Sequence, residues 1–283
     1  MTPGGAPEGP PGVSDFGISA VGPARGHGEP KAGPAPGGAP AGAGEDPRFA
    51  LAAALRRVIS AVVAAPIDDD SLRAATGRAE ALADDLEAVA GRGRRPRAQP
   101  DPTGHPQDFF PSSPVIGFAN PIAPPVTVEA VDGALRGEAS FDYQYEGPPT
   151  CVHGGVIALV FDELLGAANI AAGQPGMTGT LTIRYRRPTP LRRPLRVEAG
   201  FVSREGRKIT TRGAIFDGDE LTAEAEGLFI ELVPDRFIES VSRHAVAADV
   251  LAQIRADAER ARHAGLPATG GVPAEEGTGS EGG

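Results

Sequence analysis

Residues 146–172, EGPPTCVHGGVIALVFDELLGAANIAA, decide how the rest of the chain is arranged. A Pro/Gly-rich approach leads to His153-Gly154-Gly155 and then to a run that is apolar on nearly every side of a helix. Val156, Ile157, Leu159, Val160, Phe161, Leu164, Leu165 and Ile170 cover all faces, and a helix apolar all round is one that other structure encloses. The run is therefore expected to be the core helix. Within it stand two carboxylates, Asp162 and Glu163. An Asp is almost never fully buried unless it is paired or used, so the stretch reads as an active site.

Strand patterns flank this helix. VTVEAV, Asp132-Gly133 and ALRGEASFD read as a hairpin, because Asp-Gly supplies the backbone angles of a tight turn. After the helix, TGTLTIRYRRP alternates, with Leu181, Ile183 and Tyr185 facing one way and Thr180, Thr182, Arg184 and Arg186 the other. PLRVEAGFVSR, KITTRGAIFD and LTAEAEGLFIEL follow, joined by turns at Glu205-Gly206 and Asp217-Gly218. Short turns demand antiparallel pairing, and one enclosed helix demands a curved sheet around it. The fold class is α+β, an antiparallel roll around a central helix over residues 126–235.

Two amphipathic helices are expected upstream, over residues 45–92. Asp46-Pro47 starts the first, which runs to about Ala65 with Leu51, Leu55, Val58 and Val62 on one stripe. Asp70 or Ser71 caps the second, with Leu72, Ala75, Ala79, Leu82, Leu86 and Val89 in line until Gly91. So short a connection predicts an antiparallel hairpin packed on the main domain or on a partner copy. Residues 93–125 are neither alternating nor helical and read as an extended wrap, with Phe109, Phe110, Ile116 and Phe118 over an apolar groove. Residues 236–264 hold a last amphipathic helix, with Val246, Val250 and Ile254 on one side.

Composition bounds the function. Of the first 44 residues 22 are Gly or Pro, a stretch with little to bury against its ordering entropy, so residues 1–44 and 265–283 are expected to be disordered. Neither a targeting segment nor about 18 consecutive apolar residues is visible, which predicts a soluble, cytoplasmic protein without a membrane span. The single Cys151 excludes an intrachain disulfide, and with five scattered histidines no metal site is expected. A formal charge of −10 argues against nucleic-acid binding, although six arginines fall between Arg184 and Arg196.

Three groups carry chemistry. Gly154 and Gly155 place bare amides at a helix start, at the positive end of the macrodipole, where they suit an oxyanion or a polarised carbonyl; the plain alternative is a tight turn. Asp162 lies nine residues beyond His153, half a revolution round and roughly 13 Å along. The two cannot share a site within one chain, so a pocket using both needs two copies. Glu163, one step round, is expected to be solvated or paired with an arginine. Thr178 opens the next strand with a hydroxyl able to hold a water. A thiol nucleophile at Cys151 is rejected, because nothing supplies an orienting third group.

GPPTCVHGGVIALVFDELLG, MTGTLTIRYRRPTPL, EGRK and AEAEGLFIEL together resemble the hotdog-fold acyl-coenzyme A thioesterases of the phenylacetate-pathway type, especially the carboxyl-terminal modulator protein subgroup. The resemblance covers about residues 140–233. It implies Asp162 as general base or nucleophile, Thr178 helping to hold the water, and His153 with the Gly155 amide near the thioester carbonyl. It places Arg184, Arg186, Arg207 and Lys208 against coenzyme A, which is part of the substrate, so no separate cofactor is implied. The partners expected are acyl-coenzyme A and a second copy, as a homodimer or a dimer of dimers. A non-catalytic acyl-coenzyme A binding module on the same roll is the rival reading; a dehydratase is disfavoured because its His and Asp about five residues apart are absent.

Overall fold

Asp46 accepts from the Arg48 amide and Pro47 opens helix α1 (Pro47–Ala64). The computed structural model describes residues 46–90, 111–124, 126–131 and 133–231. The expected tails, the C-terminal helix, and Phe109 and Phe110 of the wrap lie outside the described residues. Ala65 is extended before Pro66, as the ring of a following proline requires, and helix α2 (Asp69–Val89) starts from Asp68, whose carboxylate accepts from the Ser71 amide. The cap is thus Asp68 rather than Asp70 or Ser71. The two helices do not close into a buried hairpin: α1 buries Ala52 and Arg56, whereas α2 buries no residue.

Six strands form one antiparallel sheet: β1 (Val126–Val131), β2 (Ala134–Ala139), β3 (Gly176–Tyr185), β4 (Leu195–Glu205), β5 (Lys208–Asp217) and β6 (Glu220–Glu231). Their order is β1-β2-β4-β5-β6-β3, so the strand that leaves the central helix crosses to the far edge and pairs only with β6. Gly206 and Gly218 take positive φ, 58° and 61°, in the tight turns expected there. The central helix α3 (Gly154–Ala171) lies against the sheet and buries Ile157, Val160, Phe161, Leu164, Leu165, Ala167, Ala168 and Asn169. The α+β class and the curved antiparallel sheet around a helix are borne out.

The enclosure of α3 is incomplete. Gly155, Leu159, Asp162 and Ile170 are exposed, and steps of four, three and eight residues put them on one stripe of a 3.6-residue helix. The sheet covers one side of a helix whose sequence is apolar on both. By length and composition α3 is apolar enough to cross a membrane, with a mean hydropathy of 1.5 over 18 residues. Asp162 and Glu163 break the helix into shorter apolar runs, so it holds no 18 consecutive apolar residues, and the core helix of a protein passes the same average test.

The wrap packs into the core. Val115, Ile116 and Phe118 are buried, and Phe118 meets Phe49 of α1 edge-on at 6.3 Å between ring centroids. Glu163 accepts from the Ser113 hydroxyl at 3.2 Å, and the same hydroxyl accepts from the Val115 and Ile116 amides. The second carboxylate of the helix, expected to be solvated or paired with an arginine, thus also ties this loop to α3 through the Ser113 hydroxyl.

Two glycines let α3 approach the sheet. A Cβ on Gly213 would lie 3.1 Å from Leu165 Cδ2, and one on Gly227 would lie 2.4 Å from Phe229 Cε2 and 3.0 Å from Leu165 Cδ1. Overpacking of this kind costs about 1–3 kcal/mol. Gly227→Ala is expected to lower the urea midpoint by a corresponding amount; an unchanged midpoint would show that the contact has slack.

Candidate active site

The approach to α3 is pinned before the helix begins. Thr150 sits at φ 66°, a left-handed conformation that a β-branched residue adopts only where the surroundings impose it. Its amide donates to Glu146 Oε1 at 2.6 Å, its carbonyl accepts from the Leu191 amide, and Val152 N–H donates to the Thr189 carbonyl. His153 N–H then donates to the Tyr145 carbonyl at 2.8 Å. Tyr145 belongs to a single helical turn, Tyr143–Tyr145, and burial pushes its phenol up to about 12. That phenol, held neutral, donates to the Ile122 carbonyl at 3.2 Å.

His153 is the N-cap of α3, and its Nδ1 accepts from the Gly155 amide at 2.9 Å. This is ordinary capping, a side-chain acceptor meeting one of the unpaired amides of the first turn. It brings His153 and Gly155 together, as the sequence reading expects, and it also fills the Gly155 N–H. Tyr185 closes the same corner: its hydroxyl donates to the Gly154 carbonyl at 2.9 Å, tying the start of α3 to the end of β3. Sequence reasoning placed Tyr185 on one strand face with Leu181 and Ile183 and missed this role.

Asp162 and Thr178 meet within one chain. The Thr178 hydroxyl donates to Asp162 Oδ1 at 2.7 Å, and both residues are exposed. The β3–β6 register shifts between Thr178 and Thr180, a bulge of the kind that re-aims a side chain. His153 and Asp162 stand at opposite ends of the nine-residue interval, on different faces of α3. One chain thus presents two separate groups, a histidine-capped pair of glycines and a hydroxyl-bonded carboxylate.

The four cations expected to hold coenzyme A do not form one patch within the chain. Arg184 lies opposite Glu224 in the register, and Arg184 and Arg186 both pair with that carboxylate, which is buried. Arg207 and Lys208 lie at the other end of the sheet, where Lys208 pairs with Ile230 of β6. Six residues of β6 separate Glu224 from Ile230, roughly 20 Å at 3.3 Å per strand residue. The reason is the crossover: β3 runs beside β6 with its Tyr185 end at the end of the sheet remote from the β4–β5 turn. Glu224 itself escaped the sequence reading, since its partners emerge only once the β3–β6 register is known.

Comparison with known proteins identifies the family. The family model of the Thioesterase superfamily matches residues 150–224, from the approach to α3 through Glu224. A crystal structure of a thioesterase superfamily protein is 36% identical, covers 66% of this chain and 92% of its own, and superposes with a TM-score of 0.60. Acyl-coenzyme A thioesterase THEM4 of Xenopus laevis is 38% identical over 91 residues, 31% of this chain and 41% of that protein. The Mus musculus protein of the same name is 39% identical over 93 residues, 32% of this chain and 40% of its own. The chain thus spans about two fifths of the length of these curated relatives. At 36% identity to a solved thioesterase superfamily protein over 92% of that protein's length, the chain belongs to the thioesterase superfamily.

Proposed function

We propose that this chain hydrolyses acyl-coenzyme A thioesters at sites shared between two copies of itself. The observation that carries the reading is the Asp162–Thr178 pair at 2.7 Å on an exposed helical stripe that also holds Gly155. Leu159, 43% exposed, lies four residues after Gly155 and three before Asp162. Two α3 helices crossing antiparallel at Leu159 set each Asp162 beside the other copy's His153 and Gly155. The crossing also covers the apolar stripe that the sheet leaves open, which supplies a driving force for association.

In such a site the carboxylate of Asp162 takes a proton from water, with the Thr178 hydroxyl fixing the carboxylate's direction. The water attacks the thioester carbon, and negative charge gathers on the carbonyl oxygen. The Gly155 N–H at the positive end of α3 is the donor for that oxygen, exchanging His153 Nδ1 for the substrate as acceptor. Collapse of the tetrahedral adduct breaks the C–S bond and returns a proton to the sulfur, yielding a carboxylic acid and a thiol. A positioned base contributes about 10²- to 10⁴-fold and an oxyanion donor about 10²- to 10³-fold.

The basic pairs fit the same assembly. If the β3 edges of two copies run antiparallel about the two-fold, the Arg184–Arg186 end of one lies near the Gly176 end of the other. Lys208 then sits about three strand spacings away, roughly 14 Å, closer than within a chain. Arg184 and Arg186 are already paired with Glu224, so Arg207 and Lys208 are the cations of this group left to attract phosphates.

Asp162→Asn is expected to lower kcat on acyl-coenzyme A esters by about 10²-fold or more with the fold intact by circular dichroism, while Glu163→Gln lowers the unfolding midpoint and spares kcat. Near wild-type turnover by Asp162→Asn would refute the assignment. Mixing inactive His153→Ala with inactive Asp162→Asn should restore activity, because each mixed pair contains one site with both groups native; no recovery after subunit exchange would exclude a shared site. Arg207→Ala should raise KM for coenzyme A esters in a salt-sensitive way and leave a short thioester lacking the nucleotide unchanged. Equal effects on the two substrates would remove Arg207 from phosphate binding.

A further inference from the structure

Helix α2 carries an apolar seam that no described residue of its own chain buries. Leu72, Leu82, Leu86 and Val89 are 36, 39, 44 and 80% exposed, and together with Ala75 and Ala79 they recur at steps of three and four over the whole helix. That is the a/d pattern of a two-helix coil. The outer face is polar or bare: a Cβ on Gly77 would meet nothing within 4 Å. At about 31 Å long, α2 exceeds the length below which isolated helices are marginal, and its seam lies open along that length.

We propose that the α2 helices of two copies pair antiparallel, each covering the other's seam. The sequence fits this register. Setting Ala79 opposite Leu82 of the second copy also sets Ala75 opposite Leu86 and Leu72 opposite Val89, so small faces large in two layers out of every three, as close packing requires. A parallel pair would stack Ala75 on Ala75 and Ala79 on Ala79, leaving two successive layers hollow. It would also set the acidic first turns, Asp69 and Asp70, side by side.

Charge selects the same arrangement. With Leu72 in the first core position, Arg78 and Asp85 both flank the seam on the same side. Antiparallel pairing brings these flanks together, so Arg78 of each copy faces Asp85 of the other, two opposite-charge contacts related by the two-fold. In a parallel pair Arg78 would face Ala83. This interface involves neither α3 nor β3, and it stands whether or not the shared active site does; with both, the chain assembles through two different surfaces.

The test is a cross-link in the full chain carrying Cys151→Ser. Oxidised Ala75→Cys/Leu86→Cys is expected to give a reducible covalent dimer, while Ala75→Cys alone and the outward pair Gly77→Cys/Asp84→Cys do not. Adding Arg78→Asp should cut the yield severalfold, and Arg78→Asp/Asp85→Arg should restore it. Since α2 buries none of its residues among the described ones, circular dichroism and the unfolding midpoint should be the same in all variants. Cross-linking by Ala75→Cys alone would show a parallel pair, and a yield from the double variant no greater than from the outward pair would show that something else covers the seam; either overturns the proposal. Turnover is read in parallel, so loss of the cross-link with hydrolysis intact rejects this interface alone.

Discussion

Everything in the domain follows from a mismatch between α3 and its sheet. A curved sheet can cover one side of a helix, and α3 is apolar on both. Its inner residues, Phe161, Leu164, Leu165 and Ala168, are buried to 1% exposure or less, and each must find sheet backbone close beneath it. Gly213 and Gly227 provide that closeness. The outer stripe of Gly155, Leu159, Asp162 and Ile170 remains, and it is on this stripe that the carboxylate and the histidine-capped Gly155 amide stand. A polar side chain on a helix of this kind is tolerable because it sits where the sheet does not reach.

The polar groups inside the roll show the opposite solution. Asn169, fully buried, accepts from the Thr211 hydroxyl across the α3–β5 contact, and Glu224, also buried, is met by two arginines of the neighbouring edge strand. An uncompensated buried carboxylate would cost several kcal/mol. The basic character of the Arg184–Arg187 segment is thus partly a requirement of Glu224, and only the remainder of its charge faces outward. This is why a count of arginines overstates the cationic patch.

Much of the architecture was legible because it depends on local pattern. Alternation placed the strands, Asp-Gly and Glu-Gly placed their turns, and the circumference of apolar residues placed α3. The half-revolution between His153 and Asp162 was arithmetic on the sequence. What escaped depends on register and distance. The pairing of Glu224 with Arg184 requires knowing that β3 lies beside β6, the meeting of Thr178 and Asp162 requires the bulge after Thr178, and Glu163 with Ser113 joins residues 50 apart. The two basic pairs were expected together against coenzyme A; the crossover of β3 to the far edge separates them within one chain. In α2 the periodicity was legible while its partner was not: of the two expected coverings, the main domain does not bury it, and a stripe states that something covers it without stating what.

The two amino-terminal helices therefore relate to the site in different ways. The Ser60 hydroxyl of α1 donates to Asp142 Oδ2 at 2.7 Å, and Asp142 Oδ1 accepts from the Tyr143 amide at 2.9 Å. That amide begins the turn whose Tyr145 carbonyl holds the His153 N–H. Arg56, buried and lowered in pKa by desolvation, donates to the Asn120 carbonyl at 2.9 Å, two residues from the carbonyl that receives the Tyr145 phenol. A displacement of α1 would reach the capping histidine through backbone hydrogen bonds, because each link in that path is a polar contact that costs free energy to leave unmet. No residue of α2 is buried in any such path, so α2 is free to bind another copy without disturbing His153.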